Sequence, residues 1–186
     1  NYQDLAKAVI NQEIAGLKAI LGIFDENFQA IIKLILANKG RIIFSGMGKS
    51  GHIAAKIAAT LSSLGTPAFF IHPGEASHGD LGMIAQSDLV FLLSNSGETK
   101  ELIDIINYCQ KFSIKLISLV RNPDSLLTKL ADYSLVLPAI AEASKVGAPT
   151  TSTTMKLALG DALAITIAEA KGFNKESYGL LHPGGK

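Results

Sequence analysis

The sequence predicts an α/β fold in which a doubly wound, five-stranded parallel sheet is flanked by helices. The first observation is that short apolar runs alternate with longer amphipathic stretches along the chain. The second is that these runs are apolar on consecutive positions, as in strands that are covered on both faces. The composition agrees, because 48% of the 186 residues are apolar and 18% are charged, which is typical of one domain with a buried core.

The predicted strands share the short apolar pattern, and turn-forming residues follow them. They are Arg41–Ser45, Ala68–His72, Asp88–Ser94, Lys115–Val120 and Tyr133–Pro138. Helical stretches separate most of them, so the connections are long enough to be right-handed crossovers between parallel strands.

The predicted helices carry apolar residues at intervals of three and four positions. They are Gln3–Ile20, Asp25–Ala37, Lys49–Leu64, Thr99–Phe112, Ser125–Leu130 and Ser152–Lys171. The last is apolar nearly all round, which is typical of a helix that is central to the core or faces another subunit. Because the first and last helices are more apolar than one small sheet needs, we expect a homo-oligomer.

Composition and charge exclude several classes of partner. With 17 basic and 16 acidic residues the formal net charge is +1, so we expect no nucleic-acid surface. The single cysteine, Cys109, cannot form an internal disulfide and fits a reducing, cytoplasmic setting. Asn1–Ile10 lacks a signal-peptide pattern, and the longest uncharged stretch, Ile57–Gly74, contains turn residues, so we expect no membrane span.

Two polar loops follow the first and third predicted strands, Gly46–Ser50 and Ser94–Thr99. In an open parallel sheet, ligands bind beyond the carboxyl ends of the strands. The second loop combines several hydroxyls with the start of a helix, where free N–H groups and the helix dipole attract an anion. An ordinary N-cap needs only one such residue, so we favour a phosphate site. The residues expected to contact the phosphate are Gly48, Ser50, Ser94, Asn95, Ser96 and Thr99.

The first loop also resembles two nucleotide-binding motifs. A P-loop would need a glycine where the strand has Ile43, so we reject that motif. Gly46, Gly48 and Gly51 match G-x-G-x-x-G, but the acidic residue that a dinucleotide site needs comes late, at Glu75. Tight turns and close helix packing would explain the glycines equally well.

Six sequence blocks together resemble the SIS (sugar isomerase) domain of the D-arabinose 5-phosphate isomerase family. The blocks are Gly46–Ser50, His72–Gly82, Ser94–Thr99, Ala148–Thr154, Gly160–Ala164 and His182–Gly185. The resemblance covers essentially the whole chain and implies a flavodoxin-like, three-layer SIS fold. It also implies an isomerase that interconverts D-ribulose 5-phosphate and D-arabinose 5-phosphate through a cis-enediol and feeds Kdo and lipopolysaccharide synthesis. No cofactor is expected, and related domains assemble as dimers of dimers, so the expected assembly is a homotetramer.

The sequence departs from the family pattern in two places. Before the Ala-Pro-Thr block, family members usually have Glu-Ala-Cys-Pro-Leu-Gly-Leu, whereas Glu142–Gly147 is one residue shorter and reads Glu-Ala-Ser-Lys-Val-Gly. The family commonly continues into a pair of CBS domains, and this sequence ends at Lys186. We therefore expect residues 1–186 to form a single SIS domain without CBS domains.

Two carboxylates are candidates for the proton transfer. Isomerisation needs a base beside the reacting carbon and an acid or cation where negative charge develops on oxygen. The resemblance implies that Glu142, after the fifth strand, is the catalytic carboxylate; otherwise it is an exposed loop acid. The resemblance also implies a site role for Glu101, which the helix dipole alone would explain as well, and Glu98 could take the same place.

Three basic side chains complete the candidate set. His78 lies in the loop after the second strand and can pass protons between oxygens near pH 7. His182 lies in a tail that we expect to dock into a site, either its own or that of a neighbouring subunit. Lys49 is the best-placed cation, since the helix dipole disfavours a merely solvated lysine there. The sequence has no His-Glu-x-x-His motif and no cysteine pair, so we expect no metal site.

Two other functions remain open. A 6-phospho-3-hexuloisomerase is similar in length, but it leaves the Ala148–Thr154 and His182–Gly185 blocks unexplained. A non-catalytic sugar-phosphate sensor would carry a DNA-binding arm, and the sequence shows no basic helix-turn-helix before this domain.

Overall fold

The computed structural model describes residues 1–184. Its strands are β1 (Ile42–Gly46), β2 (Ala68–Phe70), β3 (Leu89–Leu93), β4 (Lys115–Val120) and β5 (Tyr133–Val136). They form one five-stranded sheet in the order β2-β1-β3-β4-β5, and every neighbouring pair is parallel. The predicted doubly wound sheet is confirmed, and each strand ends within two residues of its predicted limits.

Helices cover both faces of this sheet. They are α1 (Tyr2–Ala19), α2 (Glu26–Ala37), α3 (Lys49–Ser63), α4 (Pro73–Ala76), α5 (Ile103–Lys111), α6 (Leu126–Leu130), α7 (Thr151–Ala170) and α8 (Lys175–Leu181). All six predicted helices are present, although the one predicted from Thr99 begins with a 3₁₀ turn, Lys100–Leu102, before α5. The prediction missed α4 and α8, which are short and bury little or nothing.

Two apolar clusters, one on each face of the sheet, form the core. Alternate residues of β1 divide between them: Ile42 and Phe44 join α2, α3 and α7, whereas Ile43 joins α5 and α6. The helix α7 packs against α1 and α3. A Cβ atom on Gly160 would collide with Ile57, so the glycine permits the close approach of α7 to α3.

The strand order determines where the two polar loops lie. Strand β1 pairs with β2 on one side and with β3 on the other, and Gly46 is in register with Leu93. The loop at residues 46–50, here called the β1 loop, and the loop at residues 94–99, here called the β3 loop, therefore leave the sheet side by side. This is the switch point at which open α/β sheets bind ligands.

Candidate active site

The β1 loop brings the start of α3 close against the end of the sheet. Gly48 precedes α3 with φ of 57° and ψ of −129°, a conformation that strongly favours glycine. A Cβ atom on Gly46 would lie 2.9 Å from the carbonyl oxygen of Leu93, so this position also requires glycine. No side chain caps the N-terminus of α3 within residues 1–184, so its first N–H groups remain available to an anion.

The β3 loop is held in shape by its own hydroxyls. The hydroxyl oxygens of Ser94 and Thr99 are hydrogen bonded over 2.8 Å, and the N–H of Gly97 donates to Ser94 Oγ over 2.9 Å. Gly97 has φ of 71°, and a Cβ atom there would collide with Ser125. Ser94 is buried, so its hydroxyl stabilises the loop from the side that faces the protein interior.

Asn95, also in the β3 loop, has a buried side-chain oxygen, Oδ1, without a hydrogen-bond partner in the described residues. Buried polar atoms are nearly always paired, so such an atom at the end of a strand indicates a place where a polar ligand binds. Ser96, next to it, is exposed and accepts a hydrogen bond from the N–H of Glu98 over 3.2 Å.

Glu142 caps the N-terminus of α7. Its Oε2 atom accepts from the N–H of Thr150 over 2.8 Å, from the Thr150 hydroxyl over 3.2 Å and from the N–H of Ser152 over 3.1 Å. Partial burial raises the pKa of Glu142, but the hydrogen bonds from these two residues outweigh it and lower the pKa below its ordinary value. The interpretation of Glu142 as an exposed loop acid is therefore wrong: the side chain is half-buried, hydrogen bonded and charged at neutral pH.

Lys156 is a functional candidate that the sequence analysis missed. It lies on α7 with 1% of its surface exposed, and its Nζ atom donates to Ser50 Oγ in the first turn of α3 over 3.3 Å. Desolvation lowers the pKa of Lys156 to about 8, although the negative charge of Glu142 partly opposes this. The only signal in the sequence is a lysine in the most apolar part of a long helix, and lysine is rarely buried unless it is paired.

His78 and Glu101 lie on neighbouring elements beside the β3 loop. His78 follows α4, and Glu101 lies in the 3₁₀ turn at Lys100–Leu102, against which α4 packs. The hydroxyl of Ser77 donates to Asp104 over 2.6 Å and ties the two segments together. Both His78 and Glu101 are exposed, as is Lys49 at the start of α3.

His182 lies at the end of α8. Its ring stacks on that of Tyr178 with the centroids 3.8 Å apart, and its Nδ1 atom is 2.9 Å from the carbonyl oxygen of the same residue. Within residues 1–184 no hydrogen bond joins His182 to the β1 or β3 loop, and no residue of α8 is buried. The last glycine of the predicted His-Pro-Gly-Gly block, Gly185, lies outside the described residues.

The residues of this site lie within a known domain family. A sequence model of the SIS domain matches residues 35–166, which include both loops, Glu142 and Lys156. The chain belongs to the SIS domain family. The sequence resemblance is thereby confirmed, together with the fold that it implied.

Individual relatives extend the SIS assignment over the whole chain. An uncharacterised protein of Rickettsia prowazekii (strain Madrid E) is 49% identical over 185 residues, which are 100% of this chain and 58% of the relative. The arabinose 5-phosphate isomerase KdsD of Yersinia pestis is 47% identical over 186 residues, 100% of this chain and 57% of that protein. The chain thus spans somewhat more than half the length of these curated relatives.

A solved structure is similar to the SIS domain along almost its full length. It is a protein of Escherichia coli CFT073 in complex with arabinose 5-phosphate, with a TM-score of 0.94 and 40% sequence identity. The match covers 98% of this chain and 97% of that one.

Two further side chains of the predicted site hold the starts of helices. Glu98, considered as an alternative to Glu101, accepts a hydrogen bond at Oε1 from the N–H of Leu126 over 2.8 Å and so holds the first turn of α6. In this structure its carboxylate therefore stabilises the start of α6. His72 is structural, because its Nδ1 accepts from the N–H of Gly74 over 3.1 Å at the start of α4.

Two further findings concern what the described residues lack. Residues 1–184 contain no group of three or more His, Cys, Asp or Glu side chains that could hold a metal ion. In the same part of the chain, none of the helices has the length and hydropathy needed to cross a membrane.

Proposed function

We propose that this SIS domain is an aldose–ketose isomerase that interconverts D-ribulose 5-phosphate and D-arabinose 5-phosphate. The observation that carries the proposal is the near full-length similarity to the E. coli CFT073 protein solved in complex with arabinose 5-phosphate. The 47% identity to the KdsD of Yersinia pestis supports the same substrate.

The β1 and β3 loops hold the phosphate. Its oxygens accept from the free N–H groups at the start of α3, and the dipole of this helix adds to the attraction. Ser50, Ser96 and Thr99 supply hydroxyls, while Ser94 fixes the shape of the β3 loop. Gly48 leaves the approach to α3 open, because no atom lies within 4 Å of its missing Cβ. Asn95 Oδ1 accepts from a sugar hydroxyl.

Glu142 transfers the proton between the two neighbouring carbons. It takes the proton from C2 of the aldose to give the cis-enediol and returns it to C1 to give the ketose. The hydrogen bonds from Thr150 and from the N–H of Ser152 all reach Oε2, and Oε1 takes the proton from the reacting carbon. The lowered pKa keeps the carboxylate ionised at neutral pH, which a base requires.

The remaining candidates act on the sugar oxygens. Lys49 stabilises the negative charge that develops on them, and His78 moves protons between the two oxygens, with Glu101 beside it. His182 enters the site of a neighbouring subunit, because within its own chain it contacts Tyr178 and its helix buries no side chain.

We further propose that the enzyme is a cytoplasmic homotetramer, a dimer of dimers, whose arabinose 5-phosphate feeds the synthesis of Kdo for lipopolysaccharide. Exposed apolar side chains on α1 and α8 support the assembly: Leu5 is 62% exposed and Leu180 is 79% exposed. The pathway is inferred from the KdsD relatives.

The test is a coupled assay of purified protein on D-ribulose 5-phosphate, with 6-phospho-3-hexulose as the competing substrate. We expect D-arabinose 5-phosphate as the product and a loss of turnover in Glu142→Gln. Glu169→Gln, an exposed carboxylate at the far end of α7, is the matched control and should leave turnover unchanged. Preference for the hexulose, or no product from folded protein, would refute the proposal.

A further inference from the structure

Lys156 is a buried charge that the reaction described above does not use. Its side chain crosses from α7 to α3, and Ser50 Oγ is the hydrogen-bond partner of its ammonium group within residues 1–184. Burying an ammonium group is unfavourable unless it is paired, and apolar packing alone would be better served by methionine or leucine. The position of this charge therefore needs a functional explanation.

The hydrogen bond to Ser50 has a fixed direction. An ammonium group has protons to donate and no lone pair, so Ser50 Oγ must be the acceptor. The hydroxyl proton of Ser50 is then free to be donated elsewhere. Ser50 lies in the first turn of α3, where the helix N–H groups also point, so its proton is available to the same anion.

The surroundings of Lys156 on α7 are polar as well. Ser152 precedes it by one helical turn and therefore lies on the same face, and its Oγ atom is buried without a partner among residues 1–184. Glu142 is the carboxylate whose charge acts on Lys156. Lys156 is thus bonded to the β1 loop at Ser50 and is close enough to Glu142 to be affected by its charge.

We propose that Lys156 is a positioning residue of the sugar-phosphate site, which fixes the Ser50 hydroxyl as a donor to a phosphate oxygen and places a buried positive charge behind the β1 loop. The inference rests on the proposed function only in taking a phosphate as the ligand. A pKa of about 8 leaves the amine mostly protonated at pH 7, as the role requires.

The main test compares Lys156→Met with wild type. We expect the KM for D-ribulose 5-phosphate and the Kd for inorganic phosphate to rise about tenfold, as for the loss of one charge-assisted hydrogen bond, while kcat changes much less. Lys171→Met is the matched control, because Lys171 donates to Thr66 at the other end of α7 and should leave both constants unchanged.

A double-mutant cycle with Ser50→Ala tests whether Lys156 acts through Ser50. In the Ser50→Ala background, Lys156→Met should add little, because the partner that it orients is already gone. Full, independent effects of the two substitutions would overturn the proposal, and so would unchanged phosphate binding in folded Lys156→Met.

Two precautions keep the result interpretable. If Lys156→Met does not fold, Lys156→Gln keeps a neutral donor of similar length, and its Kd for phosphate should lie between those of wild type and Ser50→Ala. A Kd equal to that of wild type would overturn the role of the charge. Phosphate binding is measured without turnover, so an inactive wild type would refute the isomerase proposal while leaving this test intact.

Discussion

The N–H of Thr150 donates to Oε2 of Glu142 over 2.8 Å, so the carboxylate assigned to proton transfer is also the cap of the longest helix in the described residues. The bond spans eight positions of the chain and fixes the segment before α7 against the start of that helix. One side chain therefore serves both stability and chemistry, and different substitutions should separate the two contributions.

Glu142→Gln and Glu142→Ala should differ in stability but not in activity. The glutamine keeps an oxygen that accepts from Thr150, whereas alanine removes the cap and should lower the free energy of unfolding by about 1 kcal/mol. Both should lose at least about a hundredfold in kcat, because neither carries a base. Urea denaturation and turnover measurements check this, and near wild-type turnover in Glu142→Gln would rule out Glu142 as the base.

The pH dependence of stability should reveal the charge of Glu142. Its folded pKa is lowered, so the stabilisation is present above the unfolded pKa and is lost as the pH falls through the folded pKa. Wild type should therefore lose more stability than Glu142→Gln between about pH 5 and pH 3. Parallel curves for the two proteins over this range would contradict the hydrogen-bonded carboxylate.

Whereas Glu142 contributes to both stability and activity, Lys156 should support phosphate binding at a cost in stability. Its folded pKa of about 8 lies below the ordinary 10.5, so the folded state releases this proton first and wild-type stability should rise between these two pH values. Below pH 8 the buried charge costs roughly 3 kcal/mol, so Lys156→Met should be more stable than wild type at pH 7 by up to about that amount. Urea midpoints at pH 7, 8 and 9 measure both the rise in wild-type stability with pH and the difference between wild type and Lys156→Met. A Lys156→Met variant less stable than wild type would show that the lysine side chain contributes to the packing.

Gly48→Ala should strain the β1 loop through the backbone alone. Its Cβ would meet no atom within 4 Å, so the expected penalty of about 1–3 kcal/mol comes from the positive φ. Either the protein loses this stability or the β1 loop relaxes and the KM rises. Gly82→Ala is the control, because its Cβ is equally free and its φ is ordinary. Equal melting temperatures and KM values for the two variants would show that the β1 loop tolerates the change.

The strands and loops were predictable because their signals are local. Consecutive apolar positions identify a buried strand, and a run of hydroxyls after the third strand identifies a polar loop, which the bond between Ser94 and Thr99 holds in shape. That this loop binds an anion stays a prediction. Lys156 was not predictable, because its partner Ser50 lies 106 positions away and periodicity records residue types rather than partners. The hydrogen bond between Glu98 and Leu126 at the start of α6 was not predictable for the same reason, because the two residues are 28 positions apart. Helix α8 was missed because it buries no side chain and so has no apolar period to detect.

The last prediction concerns the site shared between subunits. Helix α8 carries His182 without burying a side chain, and its Leu180 is 79% exposed, so we expect a neighbouring subunit to cover it. His182→Ala and Glu142→Gln should each be inactive, whereas hybrids made by coexpressing them should regain activity, because some sites then combine an intact His182 with an intact Glu142. Coexpression of two differently tagged copies of His182→Ala is the matched pairing, and it should stay inactive because no subunit then supplies His182. Hybrids without activity, although light scattering shows an oligomer, would mean that His182 acts within its own subunit or outside the site.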